Sequence, residues 1–423
     1  LNQNQLERFE GKQMKPRKKT GVTRRRLLQT GAVAALTPVA YASGSLAAQP
    51  ARQSVYEALG LKHVINCVGT VTNLGGSVMP PEVVAAWTEA ARHFVNLAEL
   101  QDRVGERIAK LIGVEAALVT TGAAGSLQLG TAAVITRSDR KKIARLPDTA
   151  GMRHEVILQR AHHSCYDNQL TAVGARLVEV VSADDVKRAV NDRTALMFFM
   201  NKDDATGRIR RAEWIALARE HRVPTLLDAA ADVPPVARLS EYNRMGFDLV
   251  AFSGGKAIRG PNDTGLLLGS RELINAAKLN TNPNCGTIGR ALKVSKEDMI
   301  AQMAAVERFV RLDPKAEMRE WERRIGVIEA AVKGIPSVQC ERITPTTANC
   351  VPHLILTWDE KRVAITRDRF TRALTETDPP IQIGRVPGTG ERGVCISVFM
   401  LQAGEDRIVA ERVAGILRKA SGK

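Results

Sequence analysis

The sequence predicts an α/β protein: a large, mostly parallel sheet with helices on both faces, followed by a smaller α+β region. Three observations carry that prediction. From about residue 81, short apolar runs alternate with amphipathic segments, the rhythm of strand–helix–strand units. The apolar runs are near-continuous rather than alternating in polarity, as expected of strands covered on both faces. After residues 264–268 the rhythm changes to two longer helical stretches and then to strands with fewer helices between them.

Taken in order, amphipathic periodicity predicts helices over 81–95 and 100–112. The run Ala116-Ala117-Leu118-Val119-Thr120 reads as a strand that feeds a Gly/Ala-rich helix over 122–135. Strands follow at 155–158 and 176–181, then a helix at 183–191. A strand at 195–200, a helix at 212–221 and strands at 223–228, 248–252 and 264–268 complete the large sheet. The long helical stretches lie at 296–312 and 315–333. Strands at 337–343, 351–357 and 394–399, with helices at 367–376 and 405–419, form the smaller region. This divides the chain into a signal segment (1–48), an N-terminal arm (49–80), a large domain (81–310) and a small C-terminal domain (311–423).

The chain has 423 residues, 44% of them hydrophobic and 25% charged, which excludes wholesale disorder, a coiled-coil rod and a polytopic membrane protein. The formal net charge of +16 invites a nucleic-acid partner, but aromatics make up only 4%, too few for base-stacking platforms. Residues 1–48 hold nine Lys/Arg and two acidic residues, seven of the sixteen net charges. There Thr23-Arg24-Arg25-Arg26-Leu27-Leu28 precedes a moderately apolar stretch over 27–42, and small-residue cleavage candidates stand at Ala40-Tyr41-Ala42 and Leu46-Ala47-Ala48. Paired arginines before a short apolar core resemble a twin-arginine export signal, more compact if translation starts at Met14. The competing reading is a basic arm that binds nucleic acid. Export implies a periplasmic protein; without a working signal it would be cytoplasmic. The six cysteines (Cys67, Cys165, Cys285, Cys340, Cys350, Cys395) include no C-x-x-C pair, so they read as core thiols first and disulfides second. Their spacing does not suggest zinc, and no metal is expected.

Three elements fall at the ends of predicted strands, where α/β sheets bind ligands. In Thr120-Thr121-Gly122-Ala123-Ala124-Gly125-Ser126, small residues at a helix start let an anion approach backbone N–H groups. Such a turn reads equally as close packing. Asp228, in Leu227-Asp228-Ala229-Ala230-Ala231-Asp232, is an acid at the end of an apolar strand and needs a cationic or hydrogen-bonding partner. The alternative is a helix N-cap. Lys256, in Ser253-Gly254-Gly255-Lys256-Ala257-Ile258-Arg259-Gly260-Pro261, lies among glycines just past the next strand. A confined lysine can lose its proton and act as a Schiff-base nucleophile; otherwise it sits on an exposed turn. A phosphate cradle, an aspartate for a pyridinium nitrogen and a Schiff-base lysine are together the protein parts for pyridoxal 5'-phosphate (PLP). Retention of both Lys256 and Asp228 argues against a fold kept without chemistry.

Over about residues 64–413 the sequence resembles the fold-type I PLP enzymes. Within them it is most similar to the seryl-tRNA selenium transferase (selenocysteine synthase) family and its tRNA-independent relatives such as glucosaminate-6-phosphate ammonia-lyase. The resemblance is carried by Ile65-Asn66-Cys67-Val68-Gly69-Thr70, Asn73-Leu74-Gly75-Gly76, Gly113–Val119, Gln159-Arg160-Ala161-His162, Asp228–Ala231 and, most specifically, the Ser253–Pro261 stretch. It implies that Lys256 forms the internal aldimine and shuttles the α-proton, and that Asp228 pairs with the pyridinium nitrogen. Gly122, Ala123 and Ala124 would present N–H groups to the phosphate, with Ser253 adding a hydroxyl. His162 would stack on the ring, with His163 able to exchange roles. Arg385, in Ile383-Gly384-Arg385-Val386, would bind the substrate carboxylate; its alternative is a surface ion pair. The phosphate loop Thr-Gly-Ala-Ala departs from the Asn-rich loop of the tRNA enzymes, and Asn262-Asp263 stands where Gln-Ser is usual. These departures favour a lyase acting on a small amino acid or amino sugar acid. Selenium transfer, aminotransfer, racemisation and desulfuration use the same residues; for desulfuration Cys285 is the one loop-like sulfur acceptor. The non-enzyme alternative is a basic RNA-binding protein. A homodimer or larger homo-oligomer is expected by analogy.

Overall fold

The computed structural model describes residues 54–384 and 393–422. The signal segment and Arg385 lie outside the described residues. Of an N-terminal unit comprising residues 1–58 only the last few are described; the unit from Leu59 onward holds the sheets, their helices and the candidate site.

The chain enters through a short strand, β1 (Ile65–Cys67), a 3-10 turn (Thr72–Leu74), and helices α1 (Pro81–Ala90) and α2 (Leu97–Ile112). Helix α1 is shorter than its apolar pattern suggests. The Asn96 side chain accepts hydrogen bonds from the amides of Ala98 and Glu99 and starts α2 afresh, which leaves Phe94 in a wholly exposed link. Strand β2 (Ala116–Thr121) runs straight into α3 (Gly122–Thr136). Short helices α4 (Arg140–Arg145) and α5 (Asp167–Thr171) flank β3 (Glu155–Gln159). Then come β4 (Arg176–Val180), α6 (Ala183–Ala189), β5 (Thr194–Met200), α7 (Arg211–His221), β6 (Thr225–Asp228), α8 (Arg238–Met245), β7 (Leu249–Ser253), β8 (Thr264–Gly269) and α9 (Arg271–Leu279).

These strands form a seven-stranded sheet in the order β2-β8-β7-β6-β5-β3-β4. Only β8 runs against its neighbours. Successive residues serve opposite faces: Phe199 and Leu227 lie in one core with Trp214 and Phe252, whereas Phe198 and Leu226 lie in the other with Leu118 and Leu267. Except at the edge strand β4, which exposes Arg176 and Glu179, both faces are dry, which is why the strands read as unbroken apolar runs. Helix α3 has eleven of its fifteen residues buried and therefore needs no polar face.

Helix α10 (Lys296–Phe309) still packs on the large sheet through Met299, Val306 and Phe309, whereas α11 (Pro314–Val332) turns Trp321, Ile325 and Ile328 into a third core. The exposed strand β9 (Gln339–Ile343) leads to the elements that close that core: β10 (His353–Thr357), α12 (Arg367–Thr375), β11 (Ile381–Ile383), β12 (Val394–Ser397) and α13 (Glu405–Ala420). Strands β12-β10-β9 form an antiparallel sheet. Strand β1 pairs in parallel with β11, so Ile65 and Cys67 of the expected arm belong to this third core.

The cysteine expectation needs correcting. All six are free, but only Cys67 and Cys395 are core thiols; Cys165, Cys285 and Cys340 are exposed and Cys350 is half-buried. Burial holds the Cys67 thiol far above the usual thiol range. The other cysteines stand in loops or on an exposed strand, a placement that residue type alone does not disclose.

Candidate active site

Strands β3, β5, β6 and β7 are mutually parallel, and β2 shares their direction because both it and β7 oppose β8. Their carboxyl ends therefore meet along one edge. That edge gathers Gly122, His162, Asn201, Asp228 and the Ser253–Lys256 turn, although these are spread over more than a hundred residues of sequence.

Asp228 is the last residue of β6, in register with Ala251 of β7. Lys256 stands three residues beyond the end of β7, so the two functional groups share a site. Asp228 is buried, and among the described residues its one hydrogen-bond donor is the Ala230 amide at 2.9 Å. Burial raises its carboxyl above the usual range, opposed by the Ala230 amide and the Lys256 ammonium. No helix starts there, which removes the N-cap reading; the next helix, α8, begins at Arg238. Burial likewise lowers the Lys256 amine, opposed by the carboxylates of Asp228 and Asp232. A lysine on an open turn would not be desolvated in this way. The lowered amine has a larger neutral, nucleophilic fraction, as capture of an aldehyde requires.

At the β2–α3 junction Gly122 takes a left-handed φ of 65°, which turns the chain directly from strand to helix. No side chain caps α3 and no acid lies in its first turn. Its leading N–H groups therefore have no intrahelical acceptor and face a partial positive field. Close packing holds here too: a Cβ on Gly265 of β8 would stand 2.7 Å from the Ala123 nitrogen and nearer still to the Gly122 carbonyl. The Thr121 hydroxyl beside the turn is buried without a partner among the described residues. Ser253, across the edge, is half-buried, and its hydroxyl makes no hydrogen bond within the described chain.

The structure corrects the expectation for His162. Its ring has no exposed face with which to stack on a ligand. It lies edge-on to Phe199, centroids 4.3 Å apart at 84°, and its Nδ1 accepts the Met200 amide at 3.4 Å. His162 thus ties the end of β3 to the end of β5. The 3-10 turn Arg160–His162 rotates it inward, a rotation its position at a strand end did not reveal. His163 is partly exposed and held between Asp167 at 2.5 Å and Glu179 at 3.2 Å, which raise its pKa above the ordinary histidine range.

Sequence reasoning overlooked a buried network behind Asp228. Asp232 accepts hydrogen bonds from Tyr242 Oη at 2.9 Å and from Asn201 Nδ2, and the Asn201 Oδ1 has no partner among the described residues. Burial pushes the Asp232 carboxyl up to about 6. The signal was present: a second acid four residues after Asp228 and a polar residue just beyond the apolar run of β5. Gln302 of α10 was also overlooked. It accepts from Thr264 Oγ1 at 2.6 Å beneath the Lys256 loop.

These residues fit PLP on three counts: an uncapped helix start beside an unpartnered hydroxyl for a phosphate, a buried carboxylate short of a cation for a pyridinium N–H, and a desolvated lysine for an aldehyde. Comparison with known proteins agrees. The family model for L-seryl-tRNA selenium transferase matches residues 64–332. D-glucosaminate-6-phosphate ammonia lyase of Salmonella typhimurium is 32% identical over 267 residues, 60% of this chain and 70% of that enzyme. A solved structure of D-glucosaminate-6-phosphate ammonia-lyase is similar with a TM-score of 0.76 at 24% identity, over 88% of this chain and 100% of the other. Serine palmitoyltransferase with a PLP internal aldimine is similar with a TM-score of 0.54 at 16% identity, over 85% and 88% of the two chains. The fold is fold type I of the PLP-dependent enzymes.

Proposed function

The chain belongs to the L-seryl-tRNA selenium transferase family, and from that premise we propose that it is a PLP-dependent enzyme that removes the α-proton of a small amino acid or amino sugar acid, expels the substituent on the β-carbon, and releases ammonia when water hydrolyses the resulting enamine to a keto acid. The observation that carries this reading is the juxtaposition of Asp228 and Lys256, each desolvated and each opposing the other's shift, at the carboxyl edge of the sheet.

When bound, PLP supplies an electron sink for a carbanion at the substrate α-carbon. Asp228 holds the proton on the ring nitrogen that makes the sink effective. Lys256 would hold the cofactor through its Nζ, and its free amine would carry the α-proton. The N–H groups of Gly122, Ala123 and Ala124 and the hydroxyl of Ser253 anchor the phosphate. Arg385 takes the substrate carboxylate. His162 is a positioning residue that fixes the β3 and β5 ends around the site. Transfer chemistry, including the selenium transfer that gives the family its name, would use the same residues.

We further propose export by the twin-arginine route to the periplasm, on the strength of the paired arginines and the apolar stretch behind them. Pairing with a second copy of the chain is supported by exposed Trp87, Phe94 and Val95 around the α1–α2 link.

The test is a visible absorbance spectrum of the purified protein, followed by a panel of D- and L-amino acids and sugar acids assayed for ammonia and keto acid. The expected result is a cofactor band that Lys256→Ala abolishes, with ammonia released from at least one substrate. A wild-type chain that takes up no PLP refutes the reading. Turnover without ammonia moves it to transfer chemistry.

A further inference from the structure

We propose that the crevice between the large-sheet and small-sheet halves, beside the Lys256 turn but not lined by Lys256, Asp228 or His162, binds a small amphipathic anion: an apolar body with one carboxylate or phosphate head. The crevice holds a cavity of about 290 Å³, room for an aromatic ring or short acyl chain with its head group. Its walls are apolar. Pro235 and Phe309 come from the large half, Trp321 and Phe399 from the small half. The last two meet edge to face, 5.4 Å apart at 87°.

Set into these walls are two arginines, Arg259 and Arg308, and one acid, Glu317. Arg259 adopts a left-handed φ of 63°, uncommon for a long side chain and retained only where the surroundings fix it. Its Nε donates to the Val78 carbonyl at 2.8 Å, and among the described residues no carboxylate lies within ion-pair distance of it. Burial and the neighbouring cations Arg308 and Arg324 depress its pKa, with Glu317 opposing. Arg308 pairs with Glu82 at 2.9 Å through Nε, but its Nη1 is buried with no partner among the described residues. Arg259, which has no carboxylate partner among the described residues, is the cation that an anion's oxygen in the crevice would meet, and the Arg308 guanidinium beside it adds to the positive field. A bare inorganic ion would leave the aromatic wall unfilled, which is why the ligand needs an apolar body.

An occupant would touch Arg259, three residues beyond Lys256 on the same turn, and Phe399 of the small half at once. Its binding would therefore couple the Lys256 turn to the position of the small half.

The experiment is a titration of the purified full chain, followed by Trp321 fluorescence and by calorimetry. The probes are 4-phenylbutyrate, phenyl phosphate, the neutral 4-phenylbutanol and inorganic phosphate. The proposal expects saturable one-to-one binding of 4-phenylbutyrate or phenyl phosphate, and the tighter of the two identifies the head group. Inorganic phosphate and the neutral alcohol should each bind at least about tenfold more weakly. Arg308→Gln should weaken the organic anion by about tenfold. Leu312→Trp should fill the cavity and abolish binding with an unchanged thermal melt; if that variant does not fold, Arg308→Gln decides. Equal binding of the alcohol, equal binding of inorganic phosphate, or an affinity unmoved by Arg308→Gln overturns the proposal. Binding is read without turnover, so a chain that takes up no PLP still reports on this crevice.

Discussion

Gly265→Ala probes the phosphate cradle from beneath. Gly265 lies in β8, in register with Thr120 on one side and Ser253 on the other. A methyl group there would stand 2.7 Å from the Ala123 nitrogen and closer to the Gly122 carbonyl. Ordinary contact for a carbon is about 3.5–4.0 Å, so the two backbones must separate by roughly 1 Å. Strand β8 is pinned on both edges by ladders to β2 and β7, so the displacement falls on the Gly122–Ala123 turn. Overpacking of this kind costs about 1–3 kcal/mol of stability. Losing one charge-assisted bond to the phosphate costs about 1.5–3 kcal/mol more in binding, or roughly 10–100-fold in the PLP dissociation constant. The control is Gly130→Ala in α3. There the atoms nearest the added methyl would be the Leu226 and Leu249 side chains, at 3.4 Å, and helix propensity favours alanine by about 0.5–1 kcal/mol. Absorbance titration with PLP and urea unfolding should separate the two variants. A Gly265→Ala chain that binds PLP within about twofold of wild type and unfolds at the same urea concentration would show that the cradle is not where this geometry puts it.

Two further predictions concern buried acids. The Asp232 carboxyl, about 6 in the folded chain against 3.8 as the ordinary value, keeps a proton that the unfolded chain releases. It therefore withdraws stability, on the order of 2–3 kcal/mol, as pH rises from about 4 to 6. Asp232→Asn should flatten that part of a urea stability profile, and an unaltered slope would refute the assignment. Glu155 behaves in the opposite sense. Burial works to raise its pKa, but hydrogen bonds from Arg176 at 2.5 Å, Asn191 at 2.8 Å and Arg193 at 2.5 Å prevail and bring it to about 2. Its contribution is complete above about pH 4.5 and disappears as pH falls through about 2. Glu155→Gln should cost about 1–3 kcal/mol at neutral pH and progressively less in acid; a constant deficit down to pH 2 would argue against it.

The strands of the large sheet were legible because both faces are dry: Phe198-Phe199 and Leu226-Leu227 feed opposite cores, so nothing polar interrupts them. Asp228 and Lys256 were legible for the complementary reason, as charged groups where such runs stop. Helix α8 escaped notice because Arg238–Met245 buries only Leu239, Ser240 and Tyr242 and, apart from Met245, is otherwise polar. Strands β1 and β11 are three residues each and are strands only because they pair across more than three hundred residues, a long-range contact with no local signature. His162 was found as a residue but misjudged in orientation. A strand-end position does not specify whether the following turn points a side chain toward ligand or core.

The Ser253–Pro261 stretch was the most specific signal in the sequence, and the structure supplies its physical basis. A Cβ on Gly254 would collide with Gln302 Oε1 and Thr264 Oγ1, and one on Gly260 would stand 2.9 Å from Gln302 Cδ and closer to its oxygen. One on Gly255 would stand 2.8 Å from the Asn262 carbonyl oxygen. The loop is therefore folded around a single buried amide, with the Gly260 amide donating to the Gly254 carbonyl at 2.9 Å to close it. Lysine projects from a ring of backbone that has no room for side chains at those three positions, so the backbone that carries it is fixed by packing before any cofactor arrives. The same closure forces Arg259 into its left-handed conformation and presents it to the crevice between the two halves. The residue that would hold the cofactor and the residue that would read the anion are thus set by one piece of packing, with Gln302 at its centre.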